Sequence, residues 1–126
     1  MYSSYRDLQV WQKSMDLAVE IYELSKQLPS TENYALADQM RRAVVSIPSN
    51  IAEGHGRGTE REFQRFLAIA NGSCAELQTQ LLLSERIGYL SHEQTKTSLL
   101  LTESIMKMLY SLSKSLNSKP KLKTKN

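Results

Sequence analysis

From the N-terminus onward, apolar positions recur at steps of three and four residues, the period of a helix rather than the two-residue period of a strand. Leu8, Trp11, Met15, Ala18, Tyr22 and Ser25 form one row. Val10, Ser14, Leu17, Ile21, Leu24 and Leu28 form a second. At about 100° per residue the rows lie roughly 110° apart and together span an arc of about 200°. Lys13, Asp16, Glu20 and Glu23 fill the remainder. A helix over one small core needs an arc of only about 100° or somewhat more. The excess predicts a first helix packed on two sides and ended by Pro29.

A second helix is expected to start near Thr31 to Asn33 and to run on to Gly54. Pro48 lies inside it, removes a backbone donor and predicts a kink. One bent helix is expected, with two shorter helices as the alternative. Gly54, Gly56 and Gly58 then read as a flexible break. Thr59 and Glu62 form a capping-box pair that opens a third helix, striped by Phe63, Leu67, Ala70, Cys74, Leu77 and Leu81 and stopped at Gly88. Ser91 with Gln94 opens a fourth, lined by Leu101, Ile105, Met108, Leu109, Leu112 and Leu116. Long helices on short connections pack antiparallel to their sequence neighbours. The fold class is therefore all-α: an up-down-up-down antiparallel four-helix bundle with helix 2 kinked at Pro48. The bundle domain covers residues 1–118, and residues 119–126 form a basic tail.

Composition narrows the class. The chain has 126 residues, 40% hydrophobic and 23% charged, which fits one soluble globular domain. A lone cysteine, Cys74, allows no internal disulfide and no multi-cysteine zinc site, and it falls on the core stripe of helix 3. That usage suits a reducing, cytoplasmic setting. No run of 18 apolar residues and no N-terminal apolar segment occurs, so neither a membrane span nor secretion is expected. The formal charge of +3 comes from the tail: without Lys119, Lys121, Lys123 and Lys125 the rest of the chain carries −1. Such a tail reads either as a solvated end or as a non-specific attraction for polyanions.

The stretch from Gln39 to Arg65 is the richest in charge, with Arg41, Arg42, Arg57, Arg61 and Arg65 against Glu53, Glu60 and Glu62. Arg42, Ser46, Asn50 and Glu53 share one helix face. With the bundle turning near residue 57, Arg42 is expected to reach Glu76 on helix 3. Arg42, Ser46, Asn50, Glu53 and Glu76 then make a structural polar network. The functional reading is a phosphate-contacting surface of Arg41, Arg57, Arg61 and Arg65, joined by the four tail lysines. Arg61 and Arg65, four residues apart, suit it better than Arg42.

Nothing in the sequence points to an enzyme. His55 and His92 fall near helix boundaries, without a second ligand three or four residues away. The Gly-rich stretch 54–58 does not match a phosphate-binding loop and follows a helix rather than a strand. Its neighbouring glutamates read as solvated or ion-paired, and Trp11 and Tyr22 as core rather than base-stacking groups. No catalytic residue, metal or cofactor is expected.

The segment Gln39-Met-Arg-Arg-Ala-Val-Val-Ser-Ile-Pro-Ser-Asn-Ile-Ala-Glu-Gly54 resembles the signature of the 23S rRNA intervening sequence proteins, also labelled S23 ribosomal proteins. Leu8 and Trp11, Gly56-Arg57, Glu62-Phe63, Arg65-Phe66-Leu67, Ala70, Gly72-Ser73 and Glu76-Leu77 extend the resemblance over roughly residues 5–117. Ala35 and Ala37 stand where that family often has Gly and Thr. The resemblance implies a four-helix bundle assembled as a ring-shaped homopentamer. It also implies kinship with the accessory variability determinant protein of diversity-generating retroelements, a pentamer that binds nucleic acid and a reverse transcriptase. The wide arc of helix 1 meets the resemblance at this point. Its second row, Val10, Leu17, Ile21, Leu24 and Leu28, is expected to pack on a neighbouring subunit. Two function classes follow: a homo-oligomeric module binding RNA or DNA, with a protein partner such as a reverse transcriptase, and a protein-binding scaffold ring without a nucleic-acid role.

Overall fold

The computed structural model describes residues 4–117. They form a short 3-10 turn (Tyr5–Asp7), α1 (Gln9–Ser25), a second 3-10 turn (Ser30–Glu32), α2 (Leu36–Gly56), α3 (Glu60–Ile87) and α4 (His92–Asn117). Each helix packs on its sequence neighbours, and α1 closes the square against α4. Antiparallel pairing is set by cross-helix contacts: Arg41 reaches Ser25, Ser46 meets Ser73, Gln78 meets Thr102 and Gln64 meets Ser113. The expected up-down-up-down four-helix bundle is the observed fold. The tail 119–126, with Lys119, Lys121, Lys123 and Lys125, lies outside the described residues.

Helix ends follow the capping chemistry. Thr59 Oγ1 accepts from the Glu62 amide at 3.2 Å, while the Glu62 carboxylate turns to Arg65. At α4 the box is complete: the Gln94 amide donates to Ser91 Oγ at 3.1 Å and the Ser91 amide to Gln94 Oε1 at 2.8 Å. Gly88 ends α3 in the left-handed conformation, φ 94°. The start of α2 differs from expectation. Residues 30–32 wind as a 3-10 turn, and α2 begins only at Leu36, whose amide donates to Glu32 Oε1 at 3.1 Å. The same carboxylate accepts from the Tyr89 hydroxyl at 2.8 Å, tying this turn to the α3–α4 connection and raising the phenol's pKa. Helix α2 then runs unbroken through Pro48.

The core corrects the reading of α1. Val10, Leu17, Ile21 and Leu28 are buried, and Leu24 packs against them, all in the chain's own core. Val10, Leu17, Ile21 and Leu28 are therefore not available to a neighbouring subunit. Of the other row only Met15 and Tyr22 are exposed, with Val19 beside them, and they mark the outer face; Leu8 and Ser25 are buried as well. A helical wheel fixes the angle between two rows but not which one faces the other helices.

Gly54 is a second correction. It is no flexible break but a buried residue inside α2. A Cβ there would sit 2.6 Å from Phe66 Cβ and 3.1 Å from Phe63 Cδ1. The glycine lets α2 and α3 approach closely; Gly58, with φ 92°, makes the turn itself. In α4 the buried stripe is partly polar: Thr95, Ser98 and Thr102 precede Ile105 and Leu109. Thr102 Oγ1 returns its hydrogen bond to the Leu99 carbonyl at 2.7 Å, so the hydroxyl is satisfied within its own helix.

Candidate nucleic-acid interface

The α2–α3 turn is built on Phe66, which is nearly buried under Gly54. Two guanidinium groups lie over its ring, Arg57 at 4.9 Å and Arg65 at 4.6 Å from the centroid. Each is also paired: Arg57 with Glu53 at 2.9 Å and Arg65 with Glu62 at 3.4 Å. The aromatic face and the carboxylates fix both guanidinium groups at the surface. Arg61, between them in sequence, is exposed and makes no ion pair among the described residues. Three of the four predicted arginines therefore share one end of the bundle.

The fourth does not. Arg41 lies 16 residues before Arg57, about 24 Å along the helix at a rise of 1.5 Å per residue. Its Nη2 donates to the Asn33 carbonyl at 2.9 Å and its Nη1 to Ser25 Oγ at 3.3 Å. It clips the end of α1 and the 3-10 turn to α2, and its donors are spent on structure.

The predicted polar network divides in three. Ser46 Oγ and Ser73 Oγ meet at 2.6 Å across α2 and α3, and Asn50 Nδ2 donates to the Ser46 carbonyl at 2.7 Å and to Ser46 Oγ at 3.0 Å. The Ser46–Ser73 pairing sets Arg42 level with Glu76 and Leu77, yet the guanidinium turns to Asp38 at 2.8 Å, a bond that raises its pKa further. A partner four residues away on the same helix costs less ordering than one across the groove. Glu53 serves Arg57, and Glu76 stands exposed.

A further feature at this end was not legible as a site in the sequence. Gln64 Nε2 donates to the Ser113 carbonyl at 2.9 Å and holds the last turns of α4 beside the first turns of α3. There Tyr110 is 67% exposed, with the Lys114 ammonium 5.7 Å from its ring centroid. Lys107 stands one turn before it. Spacing on the face opposite Ile105 and Leu109 was the available signal. Charge follows the same polarity. Divided at the middle of each helix, the half with the α2–α3 turn holds seven basic and five acidic residues, and the other half five basic and eight acidic.

Cys74 is fully buried, and burial pushes its thiol up to about 12. Among the described residues no group of three or more His, Cys, Asp or Glu side chains is placed to hold a metal, and no helix is long and apolar enough to cross a membrane.

No curated protein matches the chain. A solved structure of a protein of unknown function from the S23 ribosomal protein family of Bacteroides thetaiotaomicron VPI-5482 superimposes with a TM-score of 0.78 at 30% identity, over 83% of this chain and 98% of that one. The profile of the 23S rRNA-intervening sequence proteins matches residues 6–111, nearly the whole bundle. On sequence and fold together, the chain belongs to the 23S rRNA-intervening sequence protein family.

Proposed function

We propose that this protein is a non-enzymatic, cytoplasmic, homo-oligomeric bundle that contacts RNA or DNA through its arginine-edged α2–α3 end. The observation that carries the reading is the pair Arg57 and Arg65 held over Phe66, with Arg61 between them making no ion pair among the described residues, on the basic half of the molecule. Guanidinium groups already fixed at the surface suit phosphate oxygens, because little side-chain order is left to impose. Assembly rests on the outer face of α1 and α2, where Met15, Val19, Tyr22 and Val45 are 41–66% exposed. A second copy covers such a face, and a ring of five repeats one weak basic end several times. The family's name refers to 23S rRNA, which makes RNA the first ligand to test.

The test is fluorescence anisotropy with labelled RNA and duplex DNA, using the full chain, residues 1–118 and the double variant Arg61→Ala/Arg65→Ala. The reading expects residues 1–118 to bind and the double variant to lose most of that binding. Binding that disappears with the tail contradicts it. Light scattering at micromolar concentration tests assembly, and a monomer contradicts that part.

A second reading, a protein-binding scaffold ring, is favoured by one feature. Arg57, Arg61 and Arg65 are matched in number by Glu53, Glu60 and Glu62, so the turn itself carries no net charge. On this reading the arginines are structural and the partner is a protein.

A further inference from the structure

Tyr110 has no hydrogen bond among the described residues, and it borders two clefts. One, of about 200 Å³, is floored by Leu67, Ala68 and Leu109 with Asn71 and Ser113 at its edge. The other, of about 480 Å³, runs from Met106 and Lys107 to Gln78 on α3. Lys107 precedes the ring by three residues and Lys114 follows it by four, so the two ammonium groups flank it on one helix face. Neither makes an ion pair among the described residues, and Lys114 leans over the ring at 5.7 Å. Glu103 edges the larger cleft, where it accepts from Gln78 Nε2 at 3.3 Å and is turned toward α3.

An exposed aromatic ring with two lysines on its helix face, neither ion-paired among the described residues, and a shallow apolar cleft beside it has a defined chemical complement: a planar base to stack on the ring and phosphates to meet the cations. A duplex does not supply it, because its bases are already stacked on one another. The Gln64–Ser113 bond places this face beside the helix turn that carries Arg61, so a strand crossing Tyr110 has a cationic path onward.

We propose that α4 carries a single-stranded nucleic-acid site, in which an unpaired base stacks on Tyr110 and the adjoining phosphates meet Lys107 and Lys114. The proposal rests on the reading that the protein binds nucleic acid, and it adds the strand form and the contact surface.

The experiment uses the full chain and labelled oligouridylate and oligothymidylate of about 12 nucleotides, within the span of known single-strand sites. Duplexes of the same length serve as the comparison. Tyr110→Ala is expected to weaken both single-strand complexes about 10-fold and to leave duplex binding unchanged. Tyr110→Phe is expected to bind as the parent does, since the stacking face remains. Circular dichroism checks that each variant is folded; Tyr110 is exposed, so little stability depends on it. Single-strand binding that survives Tyr110→Ala, but falls on Arg61→Ala, overturns this site and leaves the arginine-edged end standing. If the parent chain binds neither strand form, both readings are overturned.

Discussion

Gly54→Ala is the sharpest test of the packing, because two effects of known sign oppose each other. In a helix interior, replacing glycine by alanine stabilises by about 0.5–1 kcal/mol through the unfolded chain's lost freedom. Here the added Cβ would lie 2.6 Å from Phe66 Cβ, where ordinary contact begins at 3.4 Å. Phe66 Cβ is fixed to its backbone and cannot rotate away, so α2 and α3 must part by about 0.8 Å. A gap of that size forfeits roughly a quarter to a half of the dispersion attraction across it. Overpacking of this kind costs about 1–3 kcal/mol. The net expectation is destabilisation by about 1–2 kcal/mol, a fall in Tm of about 4–8 °C at roughly 4 °C per kcal/mol for this chain length. Gly72→Ala is the control. It lies inside α3, exposed, and an added Cβ meets nothing within 4 Å. Thermal and urea melts of both variants should move in opposite directions, Gly72→Ala upward. If Gly54→Ala matches or exceeds the parent in stability, the close-approach argument is wrong.

Other expectations are simpler. Arg41→Ala loses two hydrogen bonds that join α1 and the 3-10 turn to α2, and should cost about 1–2 kcal/mol in urea melts without changing nucleic-acid affinity. A drop in affinity larger than that from Arg61→Ala would return Arg41 to the interface. Gly88→Ala forces a side chain into φ 94° and should destabilise by about 1 kcal/mol or more, which differential scanning calorimetry will read. The Cys74 thiol should resist an aromatic disulfide reagent until the bundle unfolds, so labelling should track unfolding in urea. Because its pKa is raised from 9.0 to about 12 in the fold, its contribution to stability is whole below pH 9 and declines as pH rises from there toward 12. Melts across that range should show stability falling, and a rise would contradict the assignment.

Much of this bundle was legible because its signals were local. Thr59, Gly88, Ser91 and Gln94 announce helix ends through hydrogen bonds to near neighbours, and the stripe Leu67, Ala70, Cys74, Leu77 and Leu81 is buried as its spacing predicts. The misses depended on distance or on partner choice. At the delayed start of α2, the Glu32 carboxylate that receives the Leu36 amide is also held by Tyr89, 57 residues away. Gly54 reads as a break until Phe66 is seen across the groove. Thr95, Ser98 and Thr102 look polar in sequence; Thr95 fits a core because its hydroxyl donates to the Glu85 carboxylate on α3, and Thr102 because its own donates to the Leu99 carbonyl one turn back. Of the candidate site, Arg57, Arg61 and Arg65 were found together, whereas Arg41 differed because its partners lie on other elements. Tyr110 and its lysines went unread because an outward face carries no burial signal.

The most direct test of the nucleic-acid reading is the salt dependence of RNA binding by the full chain and by Arg61→Ala/Arg65→Ala. Each lost phosphate contact lowers the slope of log affinity against log salt by about 0.7 on a single strand. The account predicts affinity that falls as salt rises and a slope smaller by about 1.4 in the double variant. An identical slope and affinity in the two proteins would show that Arg61 and Arg65 touch no phosphate, and would contradict the claim.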